Sequence, residues 1–169
     1  MNAIAAAFTG PSNSGKTTAI VKVAEVLKER YKLAIVKHDP SDKGSFDKEG
    51  KDSWKFTQTG AEVVVTSPTR TTYFSQQHRD IEGIIQMLGP FDILIVEGLK
   101  TLPLPRIAVF RNSLDESYFE VSDALAIDSS IDLNGYSIPK HLDILDLNNP
   151  HQLAQWIIDH GKIVRETSC

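Results

Sequence analysis

The sequence predicts a three-layer α/β fold in which helices cover a mainly parallel sheet. Short runs of consecutive apolar residues alternate with segments whose apolar residues recur every three or four positions, the patterns of buried parallel strands and amphipathic helices. A glycine-containing loop joins the first predicted strand to the first helix, and a second strand follows, as in a right-handed βαβ unit. With 169 residues, 41% of them hydrophobic and 24% charged, the chain has the size and composition of one globular domain, which we place over residues 1–169.

The predicted strands are short and rich in aliphatic residues. Residues 3–9 are nearly all apolar, as in a strand covered on both faces, and residues 91–96 form the strongest candidate for a central strand. The other strand candidates are residues 32–37, 62–66, 69–74, 106–110, 124–127 and 142–147.

Helices are predicted from apolar stripes and from residues that favour helix ends. A stripe from Ile20 to Tyr31 predicts a helix over residues 16–31, and a second stripe over residues 81–88 stops at Gly89-Pro90. Asn149 and Pro150 are typical of a cap and first turn, so the last helix begins there. Residues 38–51 lack periodicity and are predicted to form a long loop.

Residues 10–18 carry the strongest functional signal. The octapeptide from Gly10 to Thr17 matches G-x-x-x-x-G-K-[ST] between a strand and a helix, which is the context of a P-loop that holds nucleotide phosphates. Its backbone N–H groups and the helix N-terminus favour anions, Lys16 neutralises the β- and γ-phosphates, and the Thr17 hydroxyl is a ligand for Mg²⁺. The predicted nucleotide-binding residues are Gly10, Pro11, Ser12, Asn13, Ser14, Gly15, Lys16, Thr17 and Thr18, in a P-loop NTPase fold.

Two further acidic residues are candidate metal ligands, because ligands of parallel sheets bind beyond the carboxyl ends of the strands. Glu97 follows the predicted central strand and is placed to hold Mg²⁺ directly or through water. Asp39 follows the second strand and is a candidate to hold a metal-bound water, with His38 contacting phosphate or substrate. The proline after Asp39 is equally consistent with a plain turn.

The segment Gly50-Lys51-Asp52-Ser53 admits two interpretations. The residues alone favour an ordinary helix start, with Asp52 or Ser53 as the cap of a short helix that ends at Gly60. A functional loop is the alternative, and local sequence does not decide between them.

Composition excludes several function classes. The net charge of −4 gives no support for nucleic-acid binding as the main activity. No apolar stretch approaches the ~18 residues of a membrane span, and the start of the chain lacks the basic region of a signal peptide, so we expect a cytoplasmic protein. Cys169 has no partner cysteine, and we expect it to have no redox or metal role.

The residues alone do not identify the nucleotide base that is bound or the reaction that is catalysed. The chain has no N-K-x-D string, so nothing local distinguishes guanine from adenine. A small-molecule kinase would share the phosphate loop but usually adds an arginine-rich lid, which we do not find among Arg70, Arg79, Arg106 and Arg111. A metallochaperone-type GTPase would normally show histidine or cysteine clusters, which the sequence lacks.

Several motifs together resemble one family. The loop G-P-S-N-S-G-K-T-T, the segment 36–38, the run F-D-K-E-G-K-D-S-W over residues 46–54 and the strand I-L-I-V-E-G-L-K over residues 93–100 are similar to molybdopterin-guanine dinucleotide biosynthesis protein B. Residues 104–111 resemble that family's following strand, so the similarity runs from about residue 3 to residue 111.

The resemblance implies a GTP-binding adaptor that acts with Mg²⁺ in molybdenum cofactor biosynthesis and is at most a slow GTPase. Its implied partners are molybdopterin, the guanylyltransferase that joins GMP to molybdopterin, and a second copy of the chain in a homodimer. It favours a functional loop over residues 50–53, with roles for Lys51 and Asp52. The candidate substrate or switch loop also includes His38 and Asp47. Proline-flanked apolar residues suggest a dimerisation arm near residues 100–111. The family often has further histidines after His38, whereas Asp39-Pro40 follows here, so no role of those histidines is carried over.

Overall fold

The computed structural model describes residues 2–166, which form two compact units that we describe separately. The larger unit contains the chain up to His38 and from Pro90 onward, and the smaller unit is Asp39–Gly89. Cys169 lies outside the described residues. One nucleotide-binding domain over residues 1–169 stays a prediction.

The predicted α/β class is confirmed by a mainly parallel sheet of seven strands in the larger unit. The strands along the chain are β1 (Ala3–Thr9), β2 (Leu33–Lys37), β3 (Val63–Thr66), β4 (Thr71–Phe74), β5 (Ile93–Glu97), β6 (Arg106–Phe110), β7 (Ala124–Ile127), β8 (Asp143–Asp146) and β9 (Lys162–Arg165). The helices are α1 (Lys16–Leu27), α2 (Asp52–Thr57), α3 (Ile81–Met87) and α4 (Pro150–His160). The order in the large sheet is β2-β5-β1-β6-β7-β8, and β9 pairs antiparallel with β1.

Strand β1 lies inside this sheet because its side chains are small and apolar enough to be covered on both faces. Ala5, Ala6, Ala7 and Phe8 have no exposed surface. Parallel pairing with β5 on one side and β6 on the other fixes the position of its carboxyl end. The loop that follows β1 therefore leaves the sheet between the ends of β5 and β6.

The two faces of the large sheet are covered differently. Helices α1 and α4 pack on one face, where Val23 and Leu153 are fully buried with the alternate side chains of β1, β5, β6 and β7. On the other face, β6 and β7 are covered by the chain between β6 and β8, which contains short 3-10 helices at Glu116–Val121 and Leu133–Gly135. Alternation along β6 and β7 divides the apolar residues of these two strands between the two cores.

In the larger unit the predicted end of the first helix differs from the structure, the predicted start of the last helix agrees, and one strand was not predicted. Helix α1 ends at Leu27, four residues before the predicted end, and Tyr31 follows in a turn. The start of α4 is confirmed, since the Asn149 side chain accepts the N–H of Gln152 at 3.1 Å and Pro150 is in the first turn. Strand β9 was not predicted, because four residues with lysine and arginine at their ends show too little apolar alternation.

The smaller unit contains the antiparallel pair β3–β4 and the helices α2 and α3. The predicted cap of α2 is wrong. Lys51 is the N-cap and makes no side-chain cap hydrogen bond, while Asp52 is the first helical residue. The Ser53 hydroxyl instead donates to Asp47 at 2.9 Å, and α2 ends at Thr57 before Gly60. Among residues 2–166, no helix has both the length and the apolar character needed to cross a bilayer.

Candidate functional site

The loop between β1 and α1 has the backbone conformation of an anion nest. Gly10, Asn13 and Gly15 have φ angles of 136°, 61° and 95°, which are values that favour glycine and asparagine. Such positive φ values turn successive N–H groups toward one side of a loop. The N-terminus of α1 begins directly after Gly15 and adds its partial positive charge.

Gly10 also allows the loop to approach the neighbouring strand. A Cβ at this position would lie 2.4 Å from the carbonyl oxygen of Val109 in β6. No real Cβ tolerates that distance, so the close contact of the loop with β6 depends on glycine here. The nest is thus held against the sheet at the carboxyl end of β1.

The Lys16 side chain folds back over the nest. Its Nζ donates to the carbonyl oxygens of Gly10 at 3.0 Å and Pro11 at 2.6 Å. Burial lowers the pKa of Lys16, while Glu97 acts in the opposite direction and Lys37 lowers it further. A phosphate in the nest would place anionic oxygens beside this partly desolvated amine, where a charge-assisted hydrogen bond is stronger than in water.

Glu97 and Lys37 form an ion pair at the edge of the sheet that faces the P-loop. The two residues are register partners at the ends of β5 and β2, and Lys37 Nζ lies 3.2 Å from Glu97 Oε1. The Glu97 side chain is 13% exposed and the Lys37 side chain 62%. Both residues line a cavity of about 460 Å³ with the P-loop residues Ser12, Asn13, Gly15, Lys16, Thr17 and Thr18.

The residues of this cavity fit a magnesium ion. Mg²⁺ prefers oxygen ligands and is commonly held by one or two protein oxygens together with water and phosphate oxygens. Thr17 presents a hydroxyl in the first turn of α1, and Glu97 presents a carboxylate across the same cavity. These are the oxygen donors that would hold the ion, which would neutralise phosphate charge when bound.

Strand β2 places His38 close to this site but not among the residues that line the cavity. The backbone N–H of His38 donates to the carbonyl oxygen of Glu97 at 3.0 Å. Its Cβ lies 3.3 Å from the position that a Cβ on Gly98 would take, and Gly98 has a φ of 91°. His38 therefore packs against the turn that follows Glu97.

The remaining predicted site residues belong to the smaller unit. The Asp39 carboxylate accepts the N–H groups of Ser41, Lys43 and Gly44 at 3.1, 2.9 and 2.8 Å, so it organises a turn of its own loop. Its role as a metal ligand stays a prediction.

Asp47 is tied into the same loop by one of its two oxygens. Oδ1 accepts the Ser53 hydroxyl and the N–H of Lys48, whereas Oδ2 is buried without a hydrogen bond within residues 2–166. Lys51 precedes α2, and Asp52 makes an exposed contact of 3.6 Å with Lys55. The functional roles of Asp47, Lys51 and Asp52 stay predictions.

Sequence reasoning assigned no role to two basic residues that the structure brings to the P-loop. Lys37 stands beside Glu97, as described above. Arg111 follows β6, and its guanidinium lies beside Gly15, with Nε 3.1 Å from the position of a Cβ there. Both residues come at the carboxyl end of an apolar strand, the same signal that identified Glu97.

Comparison with known sequences gives one consistent result. A family model described as molybdopterin guanine dinucleotide synthesis protein B matches residues 5–129. A molybdopterin-guanine dinucleotide biosynthesis adapter protein of Haemophilus influenzae is 27% identical over 158 residues, which cover 89% of this chain and 85% of that protein. A Methanocaldococcus jannaschii protein named for the same adapter role is 31% identical over 126 residues, 70% of this chain but 52% of that longer protein.

Comparison with solved structures shows the fold. The crystal structure of Bacillus subtilis MobB superposes with a TM-score of 0.74 at 22% identity and covers 94% of this chain and 98% of that one. A second crystal structure, of a molybdopterin-guanine biosynthesis protein B, has a TM-score of 0.70 at 23% identity. The match covers 92% of this chain and 99% of that protein, so the likeness extends over both units.

Proposed function

The chain belongs to the molybdopterin guanine dinucleotide synthesis protein B family, and we propose that it is a GTP-binding adapter whose P-loop holds GTP with Mg²⁺ for the guanylyltransferase of that biosynthesis. The observation that carries the proposal is the convergence of Lys16, Thr17 and Glu97 on one cavity beside the loop. Lys16 would bind the β- and γ-phosphates, and Thr17 and Glu97 would hold the metal ion.

An adapter role fits the limited chemistry of this cavity. Rapid hydrolysis of a nucleoside triphosphate requires a positioned water and additional positive charge on the γ-phosphate in the transition state. None of the described residues that line the cavity is an arginine or a glutamine. Lys16, Lys37 and Mg²⁺ would therefore bind the nucleotide well, and the site would hydrolyse it slowly.

The choice of GTP and of the partners rests on family membership. A guanylyltransferase consumes GTP, so an adapter that carries GTP would raise the local concentration of that substrate. The proposed partners are the guanylyltransferase, molybdopterin as the acceptor of GMP, and a second copy of the chain. Tighter binding of GTP than of ATP is expected on the same basis.

The decisive experiment reconstitutes the transfer reaction. Molybdopterin, GTP, Mg²⁺ and a purified guanylyltransferase are incubated with or without this protein, and molybdopterin guanine dinucleotide is quantified by chromatography. The wild-type protein should increase product formation and should make none alone. Lys16→Ala should abolish the increase, whereas Lys22→Ala, an exposed lysine on the same helix, should retain it.

Two results would contradict the proposal. One is a wild-type protein that leaves product formation unchanged although it binds the guanylyltransferase. The other is equal stimulation by Lys16→Ala and Lys22→Ala, which would show that the adapter effect does not require a nucleotide on this P-loop.

A further inference from the structure

Arg111 lies directly against the phosphate-binding loop. Relative to the position of a Cβ on Gly15, its Nε is at 3.1 Å, its Cζ at 3.5 Å and its Nη2 at 3.6 Å. The guanidinium thus lies in tight contact with the position that a Cβ at residue 15 would take. Gly15 therefore serves both the backbone turn, with its φ of 95°, and the close approach of this arginine.

The neighbouring turn holds Arg111 in place. Asp128, which follows β7, has its Oδ2 3.6 Å from Arg111 Nε. The Asp128 Oδ1 accepts both the hydroxyl and the N–H of Ser130, and these bonds, with a smaller effect of Arg111, hold the pKa of Asp128 below its ordinary value. The carboxylate is consequently ionised at neutral pH.

A second contact connects the same two turns. The Ser130 hydroxyl oxygen accepts the backbone N–H of Asn112 at 2.9 Å. Asn112 has a φ of 67°, a left-handed conformation that asparagine tolerates better than most residues. The turn that carries Arg111 is therefore fixed to the turn that carries Asp128 through both a side-chain and a backbone contact.

The order of the strands places Arg111 and Glu97 on opposite sides of the P-loop. Glu97 ends β5 and Arg111 follows β6, and these strands flank β1 on its two sides. If the γ-phosphate and its metal ion lie toward Glu97, the rest of the phosphate chain extends toward β6. The Arg111 side chain is 42% exposed, so donors of its planar fork remain open to a ligand.

We propose that Arg111 binds the α- and β-phosphates of the nucleotide and that Asp128 is its positioning residue. The proposal rests on the proposed function, since it requires a nucleotide on the P-loop. Arginine is suited to this task because its fork donates two hydrogen bonds to one phosphate group. Binding to the α- and β-phosphates makes the contribution of Arg111 common to GDP and GTP.

The test measures the dissociation constants of GTP and GDP by calorimetric titration for the wild type, Arg111→Ala, Arg111→Lys and Arg30→Ala. Arg111→Ala should weaken both nucleotides by at least tenfold, a typical loss for a charged phosphate contact. Arg111→Lys should recover part of the loss. Arg30→Ala, which removes an exposed arginine from the turn after α1, should bind as the wild type does.

The positioning role of Asp128 is tested by a double-mutant cycle. Asp128→Asn alone should weaken GDP binding by about threefold, and it should cause no further loss in the Arg111→Ala background. A merely structural role of Asp128 would give additive losses. Should Arg111→Ala fail to fold, the Arg111 Nε–H resonance of the wild type, assigned from its absence in Arg111→Lys, should shift on addition of GDP.

The outcomes separate this inference from the proposed function. If the wild type binds GTP and the folded Arg111→Ala variant keeps both affinities within twofold, the role of Arg111 is overturned but the proposed function is not. A loss confined to GTP would overturn the assignment to the α- and β-phosphates. An Arg111 Nε–H resonance that does not shift on addition of GDP would also overturn that assignment. Wild-type protein that binds neither nucleotide would overturn the proposed function and this inference together.

Discussion

Lys37 Nζ and Glu97 Oε1 lie 3.2 Å apart at the ends of two adjacent parallel strands, where the two residues are register partners. This pairing means that the proposed metal ligand already has a cationic partner within the protein. A magnesium ion that binds Glu97 would replace Lys37 as that partner. The ammonium group would then be available to the phosphates in the same cavity.

We predict that Glu97→Gln weakens nucleotide binding mainly in the presence of Mg²⁺. The substitution keeps the shape of the side chain but removes the charged metal ligand. The ratio of GTP affinities with and without Mg²⁺ should fall by about tenfold, or about 1.4 kcal/mol. Lys37→Met is the control, since it breaks the ion pair but retains the carboxylate and should keep the Mg²⁺ dependence. Equal losses with and without metal in Glu97→Gln would show that Glu97 acts only through Lys37.

Lys16→Ala should reduce the affinity for GTP by at least tenfold, about 1.4 kcal/mol, because it removes the positive charge nearest the β- and γ-phosphates. The fold should persist, since the hydrogen bonds that the amine makes within residues 2–166 go to the loop carbonyls of Gly10 and Pro11. Calorimetric titration together with thermal denaturation tests both parts. An unchanged affinity for GTP in a folded Lys16→Ala protein would show that Lys16 does not contribute to nucleotide binding.

Gly10→Ala should destabilise the protein by about 2–4 kcal/mol, because it combines an unfavourable φ with a steric clash. The added Cβ would lie 2.4 Å from the Val109 carbonyl oxygen, a backbone atom that moves only with β6. Gly135→Ala is the matched control, since a Cβ there meets no atom within 4 Å. Urea denaturation should show a large loss only for Gly10→Ala, and similar midpoints for the two variants would contradict the argument.

The homodimer also stays a prediction, and light scattering at micromolar concentration should give about twice the chain mass. We expect the apolar residues of the segment 100–105 to contribute to the interface. Leu102 and Leu104 are both partly exposed there. Leu102→Glu should shift the protein toward the monomer, whereas Ile144→Glu, at an exposed site on β8, should not. A wild-type monomer under these conditions would count against the prediction.

The purified protein alone should hydrolyse GTP at about 10⁻⁴ to 10⁻² s⁻¹, the range of P-loop GTPases without a catalytic partner. Multiple-turnover release of phosphate measures this rate, and Lys16→Ala provides the background of contaminating enzymes. A rate of several per second that disappears in Lys16→Ala would identify a self-sufficient NTPase, and the adapter interpretation would have to be abandoned.

The elements that depend on a local pattern of residues could be predicted from the sequence. Apolar runs predicted β1, β5 and β6, and the cap residues Asn149 and Pro150 predicted the start of α4. The P-loop was predicted because its chemistry requires particular residues at fixed spacing. Arg111 was not, because its contact with Gly15 depends on the lateral order of β1 and β6, which local patterns do not encode.

The α2 cap was predicted wrongly for a related reason. Asp52 and Ser53 both favour helix starts, and local preference alone could not reveal that the Ser53 hydroxyl is used by Asp47. The pairing of β9 with β1 is likewise a contact between distant parts of the chain. Its energetic basis is the satisfaction of backbone groups, which leaves little trace in the pattern of side chains.

The pairing of β9 with β1 has a consequence for the order in which the protein matures. The strand that carries the P-loop is synthesised long before β9, yet its Ala3–Ala5 edge is paired by residues 162–165. Until those residues emerge, the backbone groups along this edge have no strand to pair with. Completion of this part of the sheet therefore waits for the synthesis of β9, and a nascent chain that stalls before residue 162 would leave the Ala3–Ala5 edge unpaired.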